Sequence, residues 1–210
     1  MKKMLWALVL SGILLSCGVA RQIQEAKNFA KCEFRIRSVE GTRLGDVKIH
    51  NVKSLKDLSM KKAAEIAMLL GSDKIPLSFT LNLQAKNPNA EKASMNKLEW
   101  ILFIDEHEMV AGVLDQKIEI IQSQAADIPI FISTDLREAL KGKSRDAIVN
   151  LAFNVAGKGD NPTHILLKVK PSIDIAGYTL SYPGYIDVKM DFTAEQGKEL
   201  REKALDKSIK

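Results

Sequence analysis

The chain has 210 residues, 46% of them apolar, with 31 Lys and Arg against 26 Asp and Glu and a formal charge of +5 at pH 7. That length supports one large domain or two small ones, with enough apolar side chain for a core of their own. The basic excess is thinly spread, and its densest knot, KGKSR at 141–145, reads as a solvated helix junction, so nucleic acid, which calls for a clustered Lys/Arg stripe, is excluded as a partner.

At the amino end, Lys2 and Lys3 precede a charge-free apolar run from Met4 to Leu15. Twelve residues fall short of the roughly 20 that cross a bilayer, but they fit the apolar region of a secretory signal. The run closes on Leu14-Leu15-Ser16-Cys17, which resembles a bacterial lipobox. That resemblance implies a lipoprotein signal peptide over residues 1–16, cleavage before Cys17, and a diacylglycerol thioether with an acylated amino terminus on Cys17. Each buried methylene contributes about 0.8 kcal/mol, and two or more chains hold a protein durably where one does not. The expected partner is therefore the membrane, through a lipid anchor. Gly18, Val19 and Ala20 follow with no acidic retention cue, so the expected location is the outer membrane, with the domain facing the periplasm. Loss of residues 1–16 lowers the excess charge to +3.

With Cys17 lipidated, Cys32 has no partner for an internal disulfide, and stability must come from the core. Cys32 is read as a small apolar residue of a strand, with a reactive thiol as the alternative. Residues 17–30 are polar with scattered alanines and read as a lipidated tether. The domain proper is expected over 31–193. KCEFRIRSVEG and GDVKIHNVKS look extended, with Gly41 and Gly45 marking the bend between them. Ser59 can cap a helix whose apolar positions Ala63, Ile66, Ala67 and Leu70 recur at three and four, with Gly71 as its end.

In PLSFTLNLQAK, Leu77, Phe79, Leu81, Leu83 and Ala85 alternate with polar residues, which predicts a strand with one buried face. Asn87-Pro88-Asn89 breaks it, since a residue before proline is pushed extended and asparagine closes local turns. NKLEWILFID and MVAGVLDQKIEIIQ form a hairpin across the tip DEHE, and Gly112 in the second strand is accounted for by a bulge or a close backbone approach. DIPIFISTD is a strand whose Pro129 favours an edge or a strand start. Asp135 with Glu138 resembles a capping box, with Gly142 as a stop, and Ser144 can cap a helix with the stripe Ile148, Val149, Ala152, Val155 and Ala156. Period-two signals run from His164 to Phe192, with Ile186, Val188 and Met190 on one side. The tail, 194–210, carries four acids and five bases and reads as a charged, solvated helix.

Seven or eight short strands joined by turns, with helices on the connections, predict a mainly β protein: an antiparallel immunoglobulin/fibronectin-III-like β-sandwich with helices on connecting segments. Over residues 76–122, and weakly from about Val47 to Val188, the order of strands around Asn87, Pro88, Asn89 and Gly112, with DIPIFIS after them, resembles the group-2 late-embryogenesis-abundant (LEA-2) domain, also called the WHy (water stress and hypersensitive response) domain. The resemblance implies a sandwich without a catalytic site, associated with desiccation and stress protection, and it has bacterial lipoprotein members. Helices near 59–70 and 136–156 depart from the family core.

No catalytic constellation stands out. His50, His107 and His164 are not at ligand spacing, so no metal is expected. DEHE at 105–108 lacks the alternating oxygens of a calcium loop and reads as a solvated hairpin tip. Ser133 and Ser172 have no neighbouring histidine in the chain, no Gly-x-Ser-x-Gly elbow is present, and no glycine-rich phosphate loop occurs. No cofactor is expected. Tyr178, Tyr182 and Tyr185 around YPGY offer either a recognition loop or a turn packed on the sandwich end. The expected function is a non-catalytic, membrane-anchored envelope lipoprotein that works by contact with envelope proteins or as a stress-protection module. The alternative is a carrier of a lipid or other apolar small molecule between the 144–156 helix and the sheet, and a hydrolase is the third class weighed.

Overall fold

The computed structural model describes residues 18–48, 60–139, 144–155, 159–175, 177–196 and 198–199. The expected signal peptide, Cys17, His50, the caps at Ser59 and Gly142, and most of the 194–210 tail lie outside the described residues. So do the side chains of Ala63, Ile66, Leu70, Ile148, Val149, Ala152, Val155 and Ala156. Helix α1 covers residues 18–30. It is followed by β1 (Glu33–Leu44), β2 (Val47–Lys48), α2 (Met60–Leu70), β3 (Pro76–Lys86), β4 (Ala93–Ile104), β5 (His107–Ile120) and β6 (Ala125–Asp135). Then come α3 (Leu136–Ala139), α4 (Ser144–Val155), β7 (Thr163–Ile175), β8 (Tyr178–Ser181) and β9 (Ile186–Phe192).

All described strand pairs are antiparallel, and they form two sheets. One sheet has the order β2-β1-β3-β6. The other runs β5-β4-β7, and β8 and β9 share the far side of β7. This is a β-sandwich. The alternation in β3 produces it directly: Leu81, Leu83 and Ala85 point inward and pair with Ile130, Ile128 and Ala126 of β6, all but Ala126 buried. Leu98, Trp100 and Leu102 of β4, with Leu167 and Val169 of β7, supply the opposing layer of the core. Burying one such aliphatic side chain contributes about 1.5–3 kcal/mol, so the hydrophobic alternation fixes both register and sidedness.

Two irregularities were not expected. In β4 the inward set is Ala93 and Met95 before a register shift at Met95/Lys97, and Leu98, Trp100, Leu102 and Ile104 after it; a bulge changes which parity faces the core. Near the amino end, β1 runs through Gly41, where the register slips between Glu40 and Arg43, and the bend sits at Gly45 alone. Both glycines have positive φ, 64° and 56°, a conformation open to a residue without Cβ. Pro129 lies on β6, an edge strand, where a missing donor is tolerated. Asp135 caps α3: its carboxylate accepts the N–H of Arg137 at 2.9 Å and that of Ile75 at 2.9 Å. Those bonds, the one from Ile75 foremost, hold its carboxyl below the usual range.

Gly112 faces Trp100 across the β4–β5 pair. Any Cβ there would overlap the indole, so close approach, and not a bulge, accounts for this glycine.

Candidate functional site

The Asn87-Pro88-Asn89 turn builds one end of the sandwich. Asn87 is completely buried. Its Nδ2 donates to the carbonyls of Glu91 and Ile120, both at 2.9 Å. Its Oδ1 accepts the backbone N–H of Asn89 at 3.0 Å and Asn89 Nδ2 at 2.8 Å. Its own N–H donates to Gln124 O, and its carbonyl accepts from Ser123 N. Every polar group is satisfied, as burial demands; the side chain ties the end of β3 to the end of β5, and the backbone ties it to the β5–β6 turn.

The stretch expected as a tether is different from that expectation. Residues 18–30 are helical, and the last turns of α1 lie against this turn: Asn89 Nδ2 donates to Asn28 O at 3.0 Å, and Asn28 Nδ2 donates to Lys92 O at 3.2 Å. Phe29 is fully buried, 5.7 Å from the Phe34 ring. Glu25 is buried between Arg21 and Lys92. Ile23, Ala26, Phe29 and Ala30 recur at three and four, a stripe that marks a helix face; scattered alanines concealed it. Cys32 closes this packing. Its Sγ reaches Asn28 O at 3.5 Å, and burial, then the neighbouring Glu33, push the thiol up to about 11, so it stays protonated and inert at neutral pH.

The three tyrosines do not form one loop cluster. Tyr178 opens β8, pairing with Ile175 across a turn containing Gly177 at φ 84°. Leu180 pairs with Ile173. Ile173 and Ile175 face the core, so Tyr178 and Leu180 are on the inward side of their sheet, and Tyr182 continues the alternation. Yet Tyr178 is 81% exposed, Leu180 49% and Tyr182 39%. The inward side of β8 is thus an apolar surface left uncovered. Tyr185 lies on the other face, 5.8 Å beneath Lys170 Nζ. Sequence reading found Tyr178 and Tyr182 but missed Leu180, although the x-x spacing Tyr178, Leu180, Tyr182 was the signal. Because Lys97 pairs with Ser172, β8 stands at the level of residues 94–97, the same end of the sandwich as Asn87 and α1.

At the opposite end, the DEHE tip is a hairpin turn with Glu106 and Glu108 exposed, as expected, but Asp105 is pinned. Asp105 and Glu106 form a two-residue turn with φ 45° and 67°, the dihedral signs of a type I′ hairpin. The Asp105 carboxylate accepts His164 N–H at 2.7 Å and Asn150 Nδ2 at 3.0 Å. His164 Nδ1 lies 2.7 Å from Asp191, whose hydrogen bond and charge raise the imidazole pKa. Asp105, His107, Asp146, Ala147 and Asn150 line an open cleft of about 410 Å³ beside α4. Deeper in, Asn154 Nδ2 donates to Asn161 O and Thr163 Oγ1 at 2.7 and 2.9 Å, while its buried Oδ1 has no partner among the described residues. Among the described residues, no three His, Cys, Asp or Glu side chains converge to hold a metal ion.

Neither a family model nor a curated protein matches the chain. Solved structures similar to it include a protein from Archaeoglobus fulgidus, 12% identical with TM-score 0.36, over 75% of this chain and 96% of that one. The AT1g01470 protein of Arabidopsis thaliana is 13% identical with TM-score 0.39, over 58% and 72%. A protein described as late embryogenesis abundant (LEA), At2g46140.1, is 11% identical with TM-score 0.32, over 86% and 87%. Similarity this remote identifies neither a family nor an activity.

Proposed function

We propose that the protein is a non-catalytic lipoprotein of the cell envelope, anchored through Cys17 in the outer membrane on its periplasmic side, whose LEA-2-like sandwich acts by contact with envelope proteins or as a stress-protection module. The observation that carries this reading is α1. The residue after Cys17 begins a helix whose far end is locked into the Asn87-Pro88-Asn89 turn, so an anchor at Cys17 would hold the domain in a fixed posture at the membrane surface. A helix of this length spans roughly 20 Å, and its docked half leaves little freedom to swing. Anchoring that limits orientation suits a protein that presents a face. The carrier alternative draws less support, because the cleft beside α4 is open and carries the carboxylates Asp105 and Asp146 in its lining, whereas apolar ligands are taken up by enclosed pockets with few polar groups.

The deciding experiment is Cys17→Ser in the full precursor, followed by detergent phase partitioning. Wild type should enter the detergent phase and the variant should leave it; a variant that matures and partitions like wild type ends the anchor reading. Cross-linking of the acylated protein in its own envelope then separates a contact module from a carrier: recovery of a protein partner with an apo mass supports the first, and a co-purifying acyl ligand in native mass spectrometry supports the second. Labelling by a serine- or cysteine-directed activity probe would overturn the non-catalytic assignment.

A further inference from the structure

We infer that β8 is a second membrane contact, in which Tyr178, Leu180 and Tyr182 enter the headgroup layer of the bilayer that holds Cys17; this rests on the anchored reading above. Three observations converge. First, β8 presents apolar side chains on the inward side of its sheet, where a sandwich ordinarily covers them, and they are left open. Second, the position is not arbitrary. The register of β7 with β4 and β8 puts this surface at the end of the sandwich where α1 docks, and α1 leads back to residue 18, one residue from the anchor. A membrane that holds Cys17 is therefore within one helix length, roughly 20 Å, of the end where α1 docks. Third, the chemistry suits an interface more than a dry protein partner: tyrosine rings with a polar tip alternate with leucine, and amphipathic aromatics of this kind settle at headgroup level. Lys27 and Lys31, both exposed on or beside α1, add positive charge that anionic headgroups attract.

The probe is a nitroxide on the acylated full chain in vesicles of phosphatidylethanolamine and phosphatidylglycerol, carried by Tyr178→Cys or by Leu180→Cys. Cys32 does not compete for the label, because it is buried with its thiol raised to about 11. A label at Phe131→Cys, exposed on β6, is the aqueous control. Labels at 178 and 180 should favour oxygen over a water-soluble nickel chelate several-fold more than the label at 131. Equal accessibility at all three sites, with the protein still in the vesicle fraction, overturns the inference and leaves the anchor standing; failure to join the vesicles overturns both. Strong spin–spin broadening at 178 would show a second copy of this chain covering β8 and would also overturn it. The double variant Tyr178→Ser/Leu180→Ser removes only exposed groups, so its unfolding temperature should match wild type while a label at Thr179→Cys becomes more aqueous. An unchanged label at that position counts against the contact.

Discussion

Two asparagines, Asn87 and Asn154, are both fully buried and each clips one end of the sandwich, but they are not equivalent. Asn87 satisfies both its amide oxygen and its amide nitrogen. Among the described residues Asn154 satisfies only the nitrogen, and its Oδ1 is pressed so closely against Gly159 that a Cβ there would overlap it. A net hydrogen bond is worth about 1 kcal/mol, whereas a buried group left without one costs about 1–3 kcal/mol. The end that carries α1 is therefore closed by a saturated knot, and the far end by a half-satisfied one. Stability should be distributed accordingly.

The sharpest break in that comparison is Asn87→Ala. It strands the carbonyls of Glu91 and Ile120 and the N–H of Asn89, so a loss of about 3 kcal/mol or more is expected in urea unfolding at constant m-value. A loss below about 1 kcal/mol would mean that water replaces the side chain without penalty. Asn154→Ala is expected to cost less, about 1–2 kcal/mol, because deleting the orphaned oxygen relieves part of what losing the amide donor removes. If the two substitutions cost the same, the distinction between the ends is wrong.

The far end also holds backbone that a better residue can relax. Glu106 sits at φ 67°, a region that costs an L-residue roughly 1–2 kcal/mol, whereas glycine adopts it freely. Glu106→Gly should therefore stabilise the protein by up to about 1 kcal/mol, read as a raised midpoint. A lowered midpoint would show that the glutamate side chain contributes more than its dihedral costs.

The smallest effect concerns His164. Its pKa is raised in the folded chain by the hydrogen bond and charge of Asp191. Its contribution is fully present below the unfolded value near 6.5 and is lost as pH rises through the higher folded value. His164→Gln should lower stability slightly below about pH 6, where the contribution is fully present, flatten the profile above it, and leave the two proteins alike once pH exceeds the raised folded value. The pair is solvent-exposed, so the change is small and salt should erase it; equal slopes for the two proteins at low salt would dismiss the pair.

Much of this architecture was legible because it depends on local alternation. Leu81, Leu83 and Ala85 announce a buried face, and Asp135 announces a cap, without knowledge of anything distant. What stayed hidden depends on partners far along the chain. Phe29 reads as one aromatic in a polar stretch until Phe34 and the Asn89 turn give it a place to dock. The parity change at Met95/Lys97 arises from pairing with β5, and no single strand encodes it. Tyr178 and Leu180 look like an ordinary inward pair, and nothing within β8 tells that its inward side is left uncovered. Asp105 looked free because its restraints, His164 and Asn150, lie more than forty residues away.

Pro171 has one more consequence. Its carbonyl accepts Tyr182 N–H at 2.9 Å, but proline has no hydrogen to return, and a hydrogen-bonded antiparallel pair normally exchanges both. The zipper along that side of β7 is thus interrupted between its β8 half and its β9 half. β8 can peel away alone, like a hinged flap, while β9 keeps its seven-residue register with β7. Its amides should trade hydrogen for deuterium well ahead of those in β9, which makes the exposed strand the part of the sandwich that adapts to an irregular surface without loosening the fold behind it.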